Sequence, residues 1–143
     1  MTEPALSGID VWRYLVDLTK PQPQLRGLPI CPFLKQYMDR VDIRRGWQDI
    51  HKDCASFQQD KWEAIVYWQP GAHDVDQMVE SLNDEFEDVE VLWMDPEATH
   101  PPLPIKDYTF RPATLVIVQN AHTLAQARSR LQKTIYYEFW REE

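Results

Sequence analysis

Two histidines stand in matching settings. His73 lies in Ala72-His73-Asp74 and His122 in Ala121-His122-Thr123, each shortly after a strand-like run that ends in glutamine, Gln69 or Gln119. Imidazole is the side chain that exchanges protons near neutral pH, and Asp74 and Thr123 are residue types that cap helices. A helix N-terminus presents unpaired N–H groups and partial positive charge. Asp74, Asn120 and Thr123 beside the two imidazoles would therefore form a place for a small anion or carboxylate. The same pair could work as acid and base, or hold a metal together with Asp74 or His100. No His-x-x-x-His spacing supports a metal, and none is assigned. The plainer alternative is that each histidine is exposed and fills the turn before a cap, and the sequence leaves both readings open.

Cys31 is the third candidate. It precedes Pro32, a residue suited to the first position of a helix, where the helix dipole would lower a thiol pKa and favour the reactive thiolate. Cys31-Pro32-Phe33 has the front of a Cys-Pro-x-Cys motif, but Leu34 stands where the second cysteine would be, which argues against dithiol oxidoreductase chemistry. The alternative is a small buried residue that anchors the helix. Cys31 and Cys54 are the only cysteines. Reduced thiols, a cytoplasmic location and no cofactor are the expectation.

The segment Gly27-Leu28-Pro29-Ile30-Cys31-Pro32-Phe33-Leu34-Lys35 follows a helix containing Trp12 and precedes a strand at Ile43-Arg44. It resembles the Gly-Leu-x-x-Cys-Pro-Phe-Ala-Lys segment of a family of uncharacterised bacterial proteins. That family also carries His-Pro-x-Tyr-x-Phe, where this chain has Asp107-Tyr108-Thr109-Phe110 without the leading pair. The resemblance implies a shared fold element around Cys31 and no reaction.

The elements that must position these residues follow from periodicity. Ser7 and Asp10 mark a helix start, and Ile9, Trp12, Leu15, Val16 and Thr19 predict one apolar side for a helix over 8–19. Pro21, Pro23 and Gly27 end it. A second helix is predicted from Pro32 to Met38 or Asp39, a strand over 41–47, and a loop or short helix over 48–60. Residues 61–68 form a strand stopped by Pro70-Gly71. Asp74 then caps a helix with Val75, Met78, Val79, Leu82 and Phe86 on one face. Residues 89–94 form another strand, and a proline-rich loop leads to 114–118, a continuous apolar run that suits a central strand buried on both faces. Thr123 caps the last helix, with Leu124, Ala127, Leu131 and Ile135 inward and Tyr136, Tyr137, Phe139 and Trp140 at its end.

Ile65 to Gln69 matches Leu115 to Gln119 in pattern, and Ala72-His73 matches Ala121-His122. This weak repeat predicts an α+β, ferredoxin-like sandwich with two extra N-terminal helices. The 61–68 and 114–118 strands would lie parallel at the centre, both later helices would cover one face, and 41–47 would supply an edge. His73 and His122 would then be neighbours at one end of the sheet. One domain over 1–143 is expected, with 1–40 as a helical extension and 41–143 as the sheet region.

The chain has 143 residues with 43% hydrophobic content and a net charge of -8, which suits a single core and argues against nucleic acid and anionic membranes. No apolar run approaches the roughly 18–20 residues of a spanning helix, and Met1-Thr2-Glu3-Pro4 lacks the start of a secretory signal. The acidity has an address. Residues 61–110 hold two basic and twelve acidic side chains, whereas 1–60 are balanced and 111–143 slightly basic. A surface running through Asp84-Glu85-Phe86-Glu87-Asp88-Val89-Glu90 would attract a basic partner, or would simply be a solvated helix end. Two functions follow. One is an accessory or protein-interaction protein that uses this surface and the aromatic C-terminal helix to hold a partner or a second copy. The other is a small enzyme or ligand binder with its site at His73 and His122, with Cys31 a further candidate.

Overall fold

The computed structural model describes residues 6–20, 37–57, 61–97 and 110–131. They form a mixed α+β fold of four helices and a four-stranded mixed sheet. In chain order these are α1 (Gly8–Leu18), β1 (Val41–Arg45), α2 (Ile50–Ala55), β2 (Ala64–Pro70), α3 (Asp76–Glu85), β3 (Val89–Met94), β4 (Ala113–Asn120) and α4 (Ala121–Leu131). The second expected N-terminal helix lies almost wholly outside the described residues, and at its end Met38–Arg40 is a 3-10 turn.

The strand order is β1-β2-β4-β3. β1 runs parallel to β2, while β4 is antiparallel to both β2 and β3. β2-α3-β3 is thus a split β-α-β unit with β4 inserted between its strands. Two expectations are corrected here. The central pair, β2 and β4, is antiparallel rather than parallel, because the chain doubles back after β3. The helices α3 and α4 also take opposite faces. Val75, the cap residue of α3, and Val79 and Leu82 within it pack on Ile65, Tyr67, Val89, Val91, Val116 and Val118. Arg128 of α4 instead reaches Glu90. Alternation along β3 sets Glu90 on the side of Leu92 and Met94, the side that α1 covers.

The core therefore has two halves, one on each side of a sheet whose central strand β4 is buried from Ala113 to Gln119. Seven consecutive buried residues are what the apolar run at 114–118 predicts for a strand covered on both faces. On the first side, Val11, Leu15 and Leu18 of α1 meet Val41, Val66, Trp68, Leu115 and Ile117. Each such side chain contributes about 1.5–3 kcal/mol on burial. The predicted face of α1 is turned. Ile9 is 63% and Trp12 36% exposed, because 11, 15 and 18 form an equally good stripe and the helix carries apolar residues around most of its circumference. Its start is as expected, with the Ser7 N–H donating to Asp10 Oδ2 at 2.9 Å.

On the second side, α2 contributes Ile50 and Cys54, and α3 presents the predicted stripe, with Met78 and Phe86 half-buried at its margins. The last helix starts two residues before its predicted cap. Asn120 Oδ1 accepts the backbone N–H groups of His122 at 3.0 Å and Thr123 at 3.2 Å, so Asn120 is the cap and Thr123 is capped. Leu124 and Ala127 are inward as predicted and pack with Tyr37. Ile135 and the aromatic cluster 136–140 lie outside the described residues.

Candidate functional site

The antiparallel centre separates the two histidines. His73 follows the end of β2, where Gln69 pairs with Thr114, and His122 follows the end of β4, where Gln119 pairs with Ala64. The stretch of β4 between these ends spans about 17 Å at strand rise. The paired site expected at one end of the sheet is not formed.

Each histidine is tied locally. The His73 ring donates from Nε2 to the Pro70 carbonyl at 2.8 Å, its backbone N–H donates to Thr114 Oγ1 at 3.0 Å, and Thr114 Oγ1 donates to the Gly71 carbonyl at 2.9 Å. The Trp47 ring meets the His73 ring edge-on at 6.3 Å. His122 Nε2 lies 3.6 Å from Asp88 Oδ1. The two helix starts differ in how side chains meet them. Asp74 Oδ1 accepts the Asp76 N–H at 3.1 Å, and Asn120 caps α4. At α4 the donors that would meet an anion have acceptors, the Ala121 N–H in the Asp88 carbonyl and those of His122 and Thr123 in Asn120, whereas at α3 the cap residue is Val75 rather than Asp74 and its side chain makes no capping hydrogen bond. Cys31 and His100 lie outside the described residues.

What the fold does bring together is a polar cluster at the seam of β1 and β2, beneath α2. Asp42 and Arg44 are two apart on β1 and share its face, and Arg44 pairs across the ladder with Tyr67 of β2. Arg44 Nε donates to Asp42 Oδ2 at 2.8 Å, and its Nη1 donates to Asp53 Oδ2 at 2.7 Å. The Tyr67 hydroxyl donates to the same Asp53 oxygen at 2.5 Å. Asp53 lies on α2, so one carboxylate fastens that short helix to two strands.

The protonation states there are set by burial together with the Asp53 carboxylate. Burial alone would lower the Arg44 pKa, but hydrogen bonds to Asp42 and Asp53 and the Asp53 charge outweigh it and hold the guanidinium firmly charged. Burial, then the Asp53 hydrogen bond and charge, raise the Tyr67 phenol well above its usual range, opposed only in part by Arg44. The neighbouring Cys54 thiol is pushed up to about 12, first by burial and then by Asp53 and Glu85. At neutral pH the cluster holds a phenol and a thiol, neither a nucleophile nor a base. Its chemistry is that of a clamp. The sequence signal was present in the Asp42-x-Arg44 spacing and in a tyrosine within an apolar strand, whose hydroxyl needs a partner when buried. The partner, Asp53, sits in the polar stretch read as loop or short helix, and the short helix is what forms there.

The second feature is the outer side of α3 and the turn after it. Asp74, Asp76, Glu80, Asp84, Glu85, Glu87 and Asp88 are all exposed. Asp76, Glu80 and Asp84 recur every four residues and so line one side of the helix. At the margins, His51 Nε2 meets Glu85 Oε2 at 2.8 Å and Arg128 grips Glu90 with two contacts of 2.8 Å. No ion pair joins Glu80, Asp84 or Glu87 to another described residue. Among the described residues no three His, Cys, Asp or Glu side chains converge as a metal site, and no helix is long and apolar enough to cross a membrane. No protein-family model, curated protein or solved structure matches this chain.

Proposed function

We propose that the chain is a non-enzymatic accessory protein that holds a partner against the acidic side of α3, the partner offering a lysine- and arginine-rich surface. The observation that carries this is the line of Asp76, Glu80 and Asp84 on a helix with no basic residue in its last turn. Like charges four apart destabilise a helix, each pair by about 0.2–0.5 kcal/mol, and acidic groups at its C-terminal end oppose the dipole. A fold that keeps such a stripe has a use for it outside the fold.

Three further readings belong to this proposal. A cytoplasmic location is supported by the buried free thiol of Cys54. A ferredoxin-like relationship is supported by the split β2-α3-β3 unit around β4, and opposed by the placement of α4. The shared element with the Gly-Leu-x-x-Cys-Pro-Phe family rests on the sequence resemblance alone.

Isolating the chain with its partners from the cells that make it, followed by cross-linking mass spectrometry, tests the reading. Cross-links are expected between residues 74–90 and partner lysines. The Asp76→Asn, Glu80→Gln, Asp84→Asn variant is expected to lose them. A triple variant that keeps every partner would overturn the proposal.

A further inference from the structure

Asn83, on α3, reaches the edge strand β3. Its Nδ2 donates to the Val91 carbonyl at 2.8 Å, and its Oδ1 accepts the Val91 N–H at 2.8 Å. Along an antiparallel ladder, residues turn both backbone groups alternately toward and away from the neighbouring strand. The Asp88 carbonyl accepts the Ala121 N–H at 3.0 Å on the β4 side. Val91, three residues on, faces outward, to the side where no strand lies among the described residues, and Asn83 fills the middle of that side with one donor and one acceptor. This is the pair that a neighbouring strand would offer.

We infer that Asn83 is a strand surrogate that closes β3 against pairing with β3 of a second copy of this chain. Exposed edges with unpaired N–H and C=O groups are templates for such pairing. The edge is self-complementary. A two-fold axis through Val91 sets Val89 opposite Trp93 and Glu90 opposite Leu92, so an aromatic meets a β-branched side chain and no like charges lie directly opposite. Glu80 and Asp84 flank Asn83 on α3 and would be brought toward their counterparts in the pair. That repulsion is a second guard, and it is screened by salt. The inference stands independently of the proposed partner.

The test is Asn83→Ala, compared with the wild-type chain by amide exchange and by light scattering, as salt is raised from about 0.1 M to about 1 M. The wild-type chain is expected to stay at 17.0 kDa. In the variant at low concentration the Val91 amide should exchange at least about tenfold faster, the equivalent of one lost hydrogen bond. At high concentration and high salt its mass should double and the Val91 amide regain protection. Adding Val91→Pro, which removes the N–H that pairing needs, should return the variant to a monomer. A variant that exposes the Val91 amide yet stays monomeric at every salt overturns the inference, as does one in which that amide remains protected. Should Asn83→Ala fail to fold, Asn83→Asp serves in its place. Its carboxylate still accepts the Val91 N–H but faces the Val91 carbonyl without a donor, and it must show the same changes in weaker form.

Discussion

Asp53 takes both the Arg44 guanidinium and the Tyr67 hydroxyl on one oxygen, and the energetic asymmetry of such a site makes the next variants informative. Tyr67→Phe removes one donor and should lower unfolding stability by about 1–2 kcal/mol in a urea titration. Asp53→Ala leaves the buried Tyr67 hydroxyl without its acceptor and the Arg44 guanidinium with Asp42 alone, and should cost about 2–4 kcal/mol, more than Tyr67→Phe, with α2 loosened first in amide exchange. A Tyr67→Phe effect equal to that of Asp53→Ala would contradict the clamp. Cys54 carries a pH prediction. Its folded pKa of about 12 lies above the ordinary thiol value of 9.0, so the folded state binds the proton more tightly than the unfolded one. The contribution is fully present below about pH 9 and is lost as pH rises from 9 toward 12, by up to about 1.4 kcal/mol per pH unit. Tyr67 is shifted in the same direction and adds to the fall. The urea midpoint should be flat up to about pH 9 and then drop, and Cys54→Ala should make that drop shallower. At this scale the chemistry was only half legible. Asp42, Arg44 and Tyr67 stand on strands whose alternation can be read, but Asp53 reaches them only because a six-residue helix forms in a polar stretch. The two histidines were misplaced together because their pairing rested on a strand direction that local pattern does not encode.

At the level of elements, periodicity located the strand at 89–94, the 114–118 centre of the strand that runs from Ala113 to Asn120, and the stripe of α3, because burial on a sheet demands regular spacing. It failed on α1, where Ile9 and Trp12 are as apolar as Val11 and Leu18, and only the sheet decides which stripe faces inward. The rotation can be checked by substitution. Leu15→Ala should cost about 2–5 kcal/mol, whereas Trp12→Ala, larger in volume but on the outer side, should cost well under half as much. Equal losses would place Trp12 in the core. The cap of α4 is a second case. Asn120→Ala should destabilise by about 1 kcal/mol and Thr123→Ala by little, the reverse of what the sequence predicts. On α3, Glu80→Gln with Asp84→Asn should raise stability by about 0.5–1 kcal/mol, since two like-charge pairs disappear and the helix C-terminus loses an opposing charge. A gain in stability that accompanies loss of the partner would mark the stripe as serving binding.

For the molecule as a whole, the fold class was within reach of the sequence and the topology was not. Helix, strand and turn signals are local, whereas the order β1-β2-β4-β3 is decided by which apolar faces can be covered at once. The antiparallel centre has a further consequence, for the time at which the protein can fold. Ala64 pairs with Gln119 and Trp68 with Leu115, and β3 has β4 as its partner in the sheet. Among the described residues, every ladder except β1 with β2 is therefore made by the last strand in chain order. While the ribosome is still adding residues before Ala113, at about 5–20 per second, β2 has one parallel neighbour and β3 has none among the described strands. Closure is a single late event that joins distant parts of the chain, and folding on the millisecond to second scale is expected once β4 emerges. A nascent chain stalled before Ala113 should be degraded readily by protease, and one released past Leu131 should resist it.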